Sequence, residues 1–167
     1  RGFAGYDELY AAFMKQVRYF VDMKVRVSNY IDRMFAKYAP ATFLSLFIDD
    51  CIAKGRDYYN CGPRYNTTYI QCTGLGTITD SLATLKKHIF EDKRWSMDEL
   101  LKAMENNFEG VEAMRQTILN RTPFFGNDDE YADNIAVKMF DDLYDTIEGK
   151  PNTKGECFHL NMLSTTC

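Results

Sequence analysis

The sequence is short of histidine, of net positive charge and of long apolar runs, and each shortage excludes a class of protein. Only His88 and His159 are present, and neither pairs with Cys61, Cys72 or Cys157 at the local spacing of a structural zinc site. The richest apolar stretch, residues 39–48, is interrupted by Pro40, Thr42 and Ser45 and met by Asp49 and Asp50. It falls well short of the roughly 18 residues of a membrane span, so a soluble protein with no membrane partner is expected. Lys and Arg number 20 against 24 Asp and Glu, for a net charge of −4. The lysines are scattered and form no stripe, so a phosphate backbone has nothing to follow and nucleic acid is not the expected partner. Five cysteines, an odd number without CxxC spacing, read as reduced thiols in a cytoplasm.

What is present is enough to fill a core. The 167 residues are 46% hydrophobic and 14% aromatic, and a chain of this length buries roughly 70% of its unfolded surface on folding. Disorder is excluded as the main state. No Met precedes Arg1, and the last expected strand halts on Cys167 without a turn or polar tail. The sequence therefore reads as a segment of a longer protein.

Apolar side chains from Tyr6 to Phe35 recur every three or four residues, which predicts one amphipathic helix over 6–38, ended by Pro40. A helical turn is expected within 43–52, closed by Gly55. Residues 65–72 are dense in β-branched and aromatic side chains and read as a strand. Its period of two sets Tyr65, Thr67, Tyr69 and Gln71 on one face, with Asn66, Thr68, Ile70 and Cys72 on the other. Four helices follow: one opened by Gly74 and Gly76 and reaching about Glu91, one from the Ser96/Glu99 capping box to about Asn107, one over 111–120, and one over 129–148. A last strand is expected from Cys157 to about Thr166. The fold class is thus α/β and helix-rich, in the order long helix, strand, four helices, strand. Strands joined by helical crossovers are usually parallel, and two alone make no stable sheet, so further strands are expected elsewhere.

Gly74-Leu75-Gly76 lacks the third glycine of a dinucleotide loop and any Gly-Lys-Ser, and reads as a tight strand-to-helix turn. His88, among Lys86, Lys87 and Glu91, reads as a solvated helix position. The pairs Asp49-Asp50, Asp128-Asp129 and Asp141-Asp142 carry no EF-hand spacing and read as helix ends and solvated faces. The segment 60–76 is different. Its strand sets Asn66, Thr67, Thr68 and Gln71 among Tyr65, Tyr69 and Ile70, and buried polar groups need partners. Either they meet polar side chains inside a barrel, or they line a cavity for a polar ligand.

Several runs in this region carry a family resemblance. Asp49-Asp50-Cys51-Ile52, Gly55, Asp57, Gly62, Arg64-Tyr65-Asn66, Tyr69-Ile70-Gln71, Gly74 and Gly76-Thr77-Ile78-Thr79-Asp80-Ser81-Leu82 resemble the glycyl radical enzymes related to pyruvate formate-lyase. So does Asn161-Met162-Leu163-Ser164-Thr165-Thr166-Cys167, with Ser164 where that family usually has proline. The resemblance is greatest to the branch that dehydrates trans-4-hydroxy-L-proline. It implies that residues 1–167 are one segment of the family's α/β barrel domain, without the catalytic cysteine loop or the C-terminal radical domain. It also implies a cytoplasmic, anaerobic parent enzyme, a homodimer that removes water from a small-molecule substrate after hydrogen-atom abstraction. No cofactor is expected on this chain. The parent would need a post-translational glycyl radical, installed by an S-adenosylmethionine-dependent iron-sulfur activase. No catalytic residue is carried over, and the segment alone is expected to be inert. Tyr65, Asn66 and Gln71 are carried over as barrel-lining or packing residues, and Thr165 or Thr166 as substrate-pocket wall, only one of the two facing inward. Other glycyl radical chemistry remains open within the family: diol dehydratase, choline lyase, arylacetate decarboxylase or formate acetyltransferase. A non-catalytic helical interaction module is the alternative outside it.

Overall fold

The computed structural model describes residues 2–163. In chain order its elements are helix α1 (Tyr6–Tyr38), the single turns α2 (Thr42–Ser45) and α3 (Cys51–Lys54), strand β1 (Thr68–Gln71), helix α4 (Leu75–Thr84) continued by a π-helical segment (Leu85–Glu91), helices α5 (Met97–Glu105), α6 (Glu112–Arg121) and α7 (Glu130–Ile147), and strand β2 (Phe158–Asn161). Every expected element is present. The expected strand over 65–72 is trimmed to four residues, and the expected second strand ends as a strand at Asn161; its residues 164–166 lie outside the described residues. No described helix is long and apolar enough to cross a membrane.

The chain divides into two compact units. The first comprises Arg1–Phe13 with Thr73–Asp141. Its core joins Leu100, Ala103 and Met114 to Leu85, Ile89, Trp95, Phe108 and Ile118. Helix α5 begins where the sequence predicts, because Ser96 and Glu99 cap one another: the Ser96 N–H donates to Glu99 Oε2 at 2.7 Å, and the Glu99 N–H donates to Ser96 Oγ at 3.2 Å. One expectation is corrected in this unit. His88 is not solvated; it is 1% exposed, with Nε2 3.0 Å from Thr122 Oγ1 and its ring 5.6 Å from that of Trp95. His88 lies inside the π-helical segment, whose wider turns, one closed by Asp92 N–H donating to Lys87 O at 2.8 Å, depart from the regular α-helical period.

The second unit comprises Met14–Cys72 with Asp142–Cys167. Here β1 and β2 pair in parallel, from Thr68 opposite Phe158 to Gln71 opposite Asn161. Ile70 and Phe158 project from one side of the sheet into a cluster with Val21 and Val25 of α1 and Ile147 of α7, flanked by Val17, Cys72 and Leu160. Phe158 and Ile147 are wholly buried. Burying an aliphatic or aromatic side chain of this size contributes roughly 1.5–3 kcal/mol, so this cluster is what holds the two strands against the helices. The apolar stripe of α1 is buried at Val21 and Val25, whereas Ile31, Met34 and Phe35 are more than a third exposed. Ahead of β1 the chain closes on itself at Gly62, where a Cβ would lie 2.4 Å from Arg56 O and 2.6 Å from Asp57 O. Only glycine permits that approach.

Candidate functional site

The candidate site is the side of the parallel pair that faces away from the core. Cross-strand partners in a parallel ladder share a face, so Tyr69 lies beside His159 and Gln71 beside Asn161. The Tyr69 and His159 rings are 5.6 Å apart and tilted by 39°. Tyr69 is 59% exposed and Tyr65, just ahead of the strand, is 79% exposed. Gln71 is also exposed. Two carboxamides, a phenol and an imidazole therefore stand on one open face, with aliphatic packing behind them.

The loop between α7 and β2 sets this geometry. Helix α7 ends at Ile147, Gly149 takes a left-handed φ of 76°, and the chain turns back so that Gly149 N–H donates to Phe158 O and Phe158 N–H donates to Lys150 O. Asn152 ties the loop to β1 and its approach. Its Nδ2 donates to Asn66 O at 2.7 Å and to Thr68 Oγ1 at 3.1 Å, and its Oδ1 accepts from the N–H groups of Lys154 and Glu156. The loop is also fastened to α1. Lys150 Nζ donates to Asp22 Oδ1 at 2.8 Å, and Asn29 Nδ2 donates to Pro151 O at 3.1 Å. The bond from Lys150 holds the Asp22 carboxyl below the usual carboxylate range.

This turn delivers Glu148 to the edge of β2. Its Oε1 bonds His159 Nδ1, and its Oε2 accepts from the Leu160 N–H at 3.3 Å. A carboxylate only accepts, so Nδ1 of a neutral His159 carries the proton and Nε2 presents its lone pair. Cys157, two residues before His159 and so on the same face, places Sγ 3.5 Å from that Nε2. The other described thiol of this sheet, Cys72, is on the core side, and burial pushes it up from the ordinary thiol range.

The residues singled out from the sequence fall in three places. Tyr65 and Gln71 are on the open side. Asn66 is turned inward and 9% exposed, with Nδ2 donating to Pro63 O at 2.8 Å and its N–H donating to Glu156 Oε1 at 3.1 Å. Thr165 and Thr166 lie outside the described residues. Glu148, Asn152, Cys157 and His159 were not singled out as a group. The Cys-x-His spacing on a strand is a readable signal for two of them; the arrival of Glu148 depends on the Gly149 turn. Arg64 is held at the approach to the strand by a two-pronged pair with Asp50, Nε to Oδ2 at 3.2 Å and Nη2 to Oδ1 at 3.0 Å. That hydrogen bond keeps the Asp50 carboxyl below its ordinary range. Among the described residues no group of three or more His, Cys, Asp or Glu side chains has the arrangement to hold a metal ion.

Comparison with known proteins gives these features a context. A family model described as pyruvate formate lyase-like matches residues 1–167. The chain is 46% identical over 167 residues to the trans-4-hydroxy-L-proline dehydratase of Clostridioides difficile, covering 100% of this chain and 21% of that enzyme. The crystal structure of the C. difficile hydroxyproline dehydratase with trans-4-hydroxy-L-proline bound matches with a TM-score of 0.91 at 45% identity, over 97% of this chain and 20% of that one. The glycerol-bound form of the B12-independent glycerol dehydratase from Clostridium butyricum matches with a TM-score of 0.85 at 33% identity, over 95% of this chain and 20% of the other. The chain thus spans about a fifth of the length of the relatives it matches.

Proposed function

This chain belongs to the pyruvate formate lyase-like family, and we propose that it is one segment of the barrel domain of a glycyl radical dehydratase acting on trans-4-hydroxy-L-proline. The observation that carries this reading is the 46% identity to the hydroxyproline dehydratase, sustained over all 167 residues. In the whole enzyme, a cytoplasmic homodimer in this reading, a glycyl radical installed by an S-adenosylmethionine-dependent iron-sulfur activase supplies the hydrogen-atom abstraction that precedes loss of water. Neither the radical glycine nor the reactive cysteine is assigned to this chain.

The role of this chain is to wall the reaction chamber. The apolar side of the β1–β2 pair anchors it to α1 and α7, which leaves Tyr65, Tyr69 and Gln71 free to bound a polar space. Asn66 serves by packing, closing the turn before β1 through its bond to Pro63 O. Thr165 or Thr166 is assigned to the substrate-pocket wall. A wall of this kind excludes water from a reactive intermediate and offers the substrate a few fixed hydrogen-bonding groups.

The test uses the full-length protein activated under anaerobic conditions and offered trans-4-hydroxy-L-proline, glycerol and propane-1,2-diol in parallel. The expected result is a kcat/KM for the hydroxyproline at least about a hundredfold above that for either polyol, since a site built to pair a substrate's polar groups strongly rejects one that lacks them. Preference for a polyol would overturn the substrate assignment while leaving the family intact. Gln71→Leu is expected to raise KM for the preferred substrate about tenfold, the loss of one hydrogen bond.

A further inference from the structure

Cys157, His159 and Glu148 form a graded relay on the open side of the sheet: a thiol against Nε2 at 3.5 Å, and an imidazole whose Nδ1 is held by a carboxylate that the Leu160 N–H holds in turn. This is the arrangement by which a weak nucleophile is activated, with a base in reach of the proton and a third group fixing the base's tautomer. Each member is only partly buried, and the Tyr69 ring lies 5.6 Å from that of His159, tilted by 39°. We propose that Cys157 is a reactive thiol and a modification site for small disulfides.

In the step concerned, the Cys157 sulfur attacks one sulfur of a low-molecular-weight disulfide. The S–S bond breaks, a mixed disulfide forms on Cys157, and the other half leaves as a thiolate. His159 Nε2 takes the Cys157 proton as the new bond forms, and that proton passes to the leaving thiolate. The balance is one protein thiol and one disulfide giving one mixed disulfide and one small thiol, with no further oxidant. Glu148 acts as a positioning residue, stabilising the imidazolium while it lasts.

The proposal rests on the reading that this face bounds a chamber open to small substrates, so that a small disulfide reaches Cys157 by the same entry; thiol exchange needs no radical, and its failure would leave the substrate assignment standing. The experiment uses the full-length protein, unactivated, with 2-hydroxyethyl disulfide as the probe and labelling read peptide by peptide in a mass spectrometer. Cys61, also partly exposed, is the internal reference. Cys157 is expected to exchange at least about tenfold faster than Cys61 in the native protein, as general-base assistance requires, and at the same rate as Cys61 in denaturant. His159→Gln should bring Cys157 down to the Cys61 rate with labelling of Cys61 unchanged. Glu148→Gln, which keeps an acceptor for the Leu160 N–H but removes the charge, should lower the rate by a smaller factor, and it decides the matter if His159→Gln does not fold. Native Cys157 reacting no faster than Cys61, or a rate indifferent to both substitutions, would overturn the proposal.

Discussion

Burying an imidazole favours its uncharged form, and His88 is the clearest case in this chain. It is 1% exposed, Nε2 is engaged by Thr122 Oγ1, and Nδ1 has no hydrogen-bond partner among the described residues. Burial lowers its pKa from the ordinary histidine value; Arg94 and Lys87 lower it further, while Asp92 opposes them. The unfolded chain takes up a proton near pH 6.5 that the folded chain refuses. The contribution of His88 to stability is therefore complete above about pH 6.5 and is lost as pH falls below that value, at up to about 1.4 kcal/mol per pH unit. Urea unfolding at pH 7, 6 and 5 should show a midpoint that falls on acidification, and His88→Gln should flatten that fall. Equal slopes in the two proteins would remove His88 as the cause. The burial of this residue was not legible in the sequence. Its neighbours Lys86, Lys87 and Glu91 are charged, and a regular helical period leaves out the π-helical segment in which it lies.

Among whole elements, those governed by local chemistry match expectation best. Helix α1 runs over the residues that its apolar spacing predicts, and α5 starts at its capping box. Replacing Ser96 with Ala removes the acceptor for the Glu99 N–H and should cost about 1 kcal/mol, seen as a fall in melting temperature of roughly 2–4 °C. An unchanged melting curve would mean that packing alone holds the first turn. Strand limits were less legible because a strand ends where its partner does. Tyr65, Asn66 and Thr67 have strand-like composition, but the Asn66 N–H is bonded to the Glu156 side chain, and ladder pairing begins only at Thr68. The alternation of faces along β1 held nonetheless, with Ile70 buried and Tyr69 open. That half of the candidate site could be read from the sequence. The other half could not, because Glu148 reaches His159 only after the chain reverses at Gly149, a contact no periodicity encodes.

For the molecule as a whole, the informative feature is apolar surface left uncovered. In the second unit Phe43, Phe47 and Ile52 are 74%, 71% and 70% exposed, and the two Phe rings meet edge to face with centroids 5.2 Å apart. Exposed apolar groups gathered in this way mark surfaces that bind other protein. The 167-residue polypeptide studied by itself should self-associate, with sedimentation coefficients that rise with concentration, and Phe43→Ser with Phe47→Ser should suppress that rise. A single concentration-independent species would instead favour a self-sufficient helical module.

The parallel pairing of β1 with β2 also has a consequence for how the polypeptide is made. Asn66 and Glu156, bonded at the mouth of the sheet, are 90 residues apart. At a synthesis rate of about 5–20 residues per second, the earlier strand leaves the ribosome several seconds before the later one exists. Throughout that interval an uncharged Thr-Tyr-Ile-Gln stretch has no β2 edge to join, the state in which strands seek out other chains. The nascent polypeptide thus passes through a window of vulnerability to misassembly, during which a chaperone covering residues 68–71 would protect the yield of the finished protein.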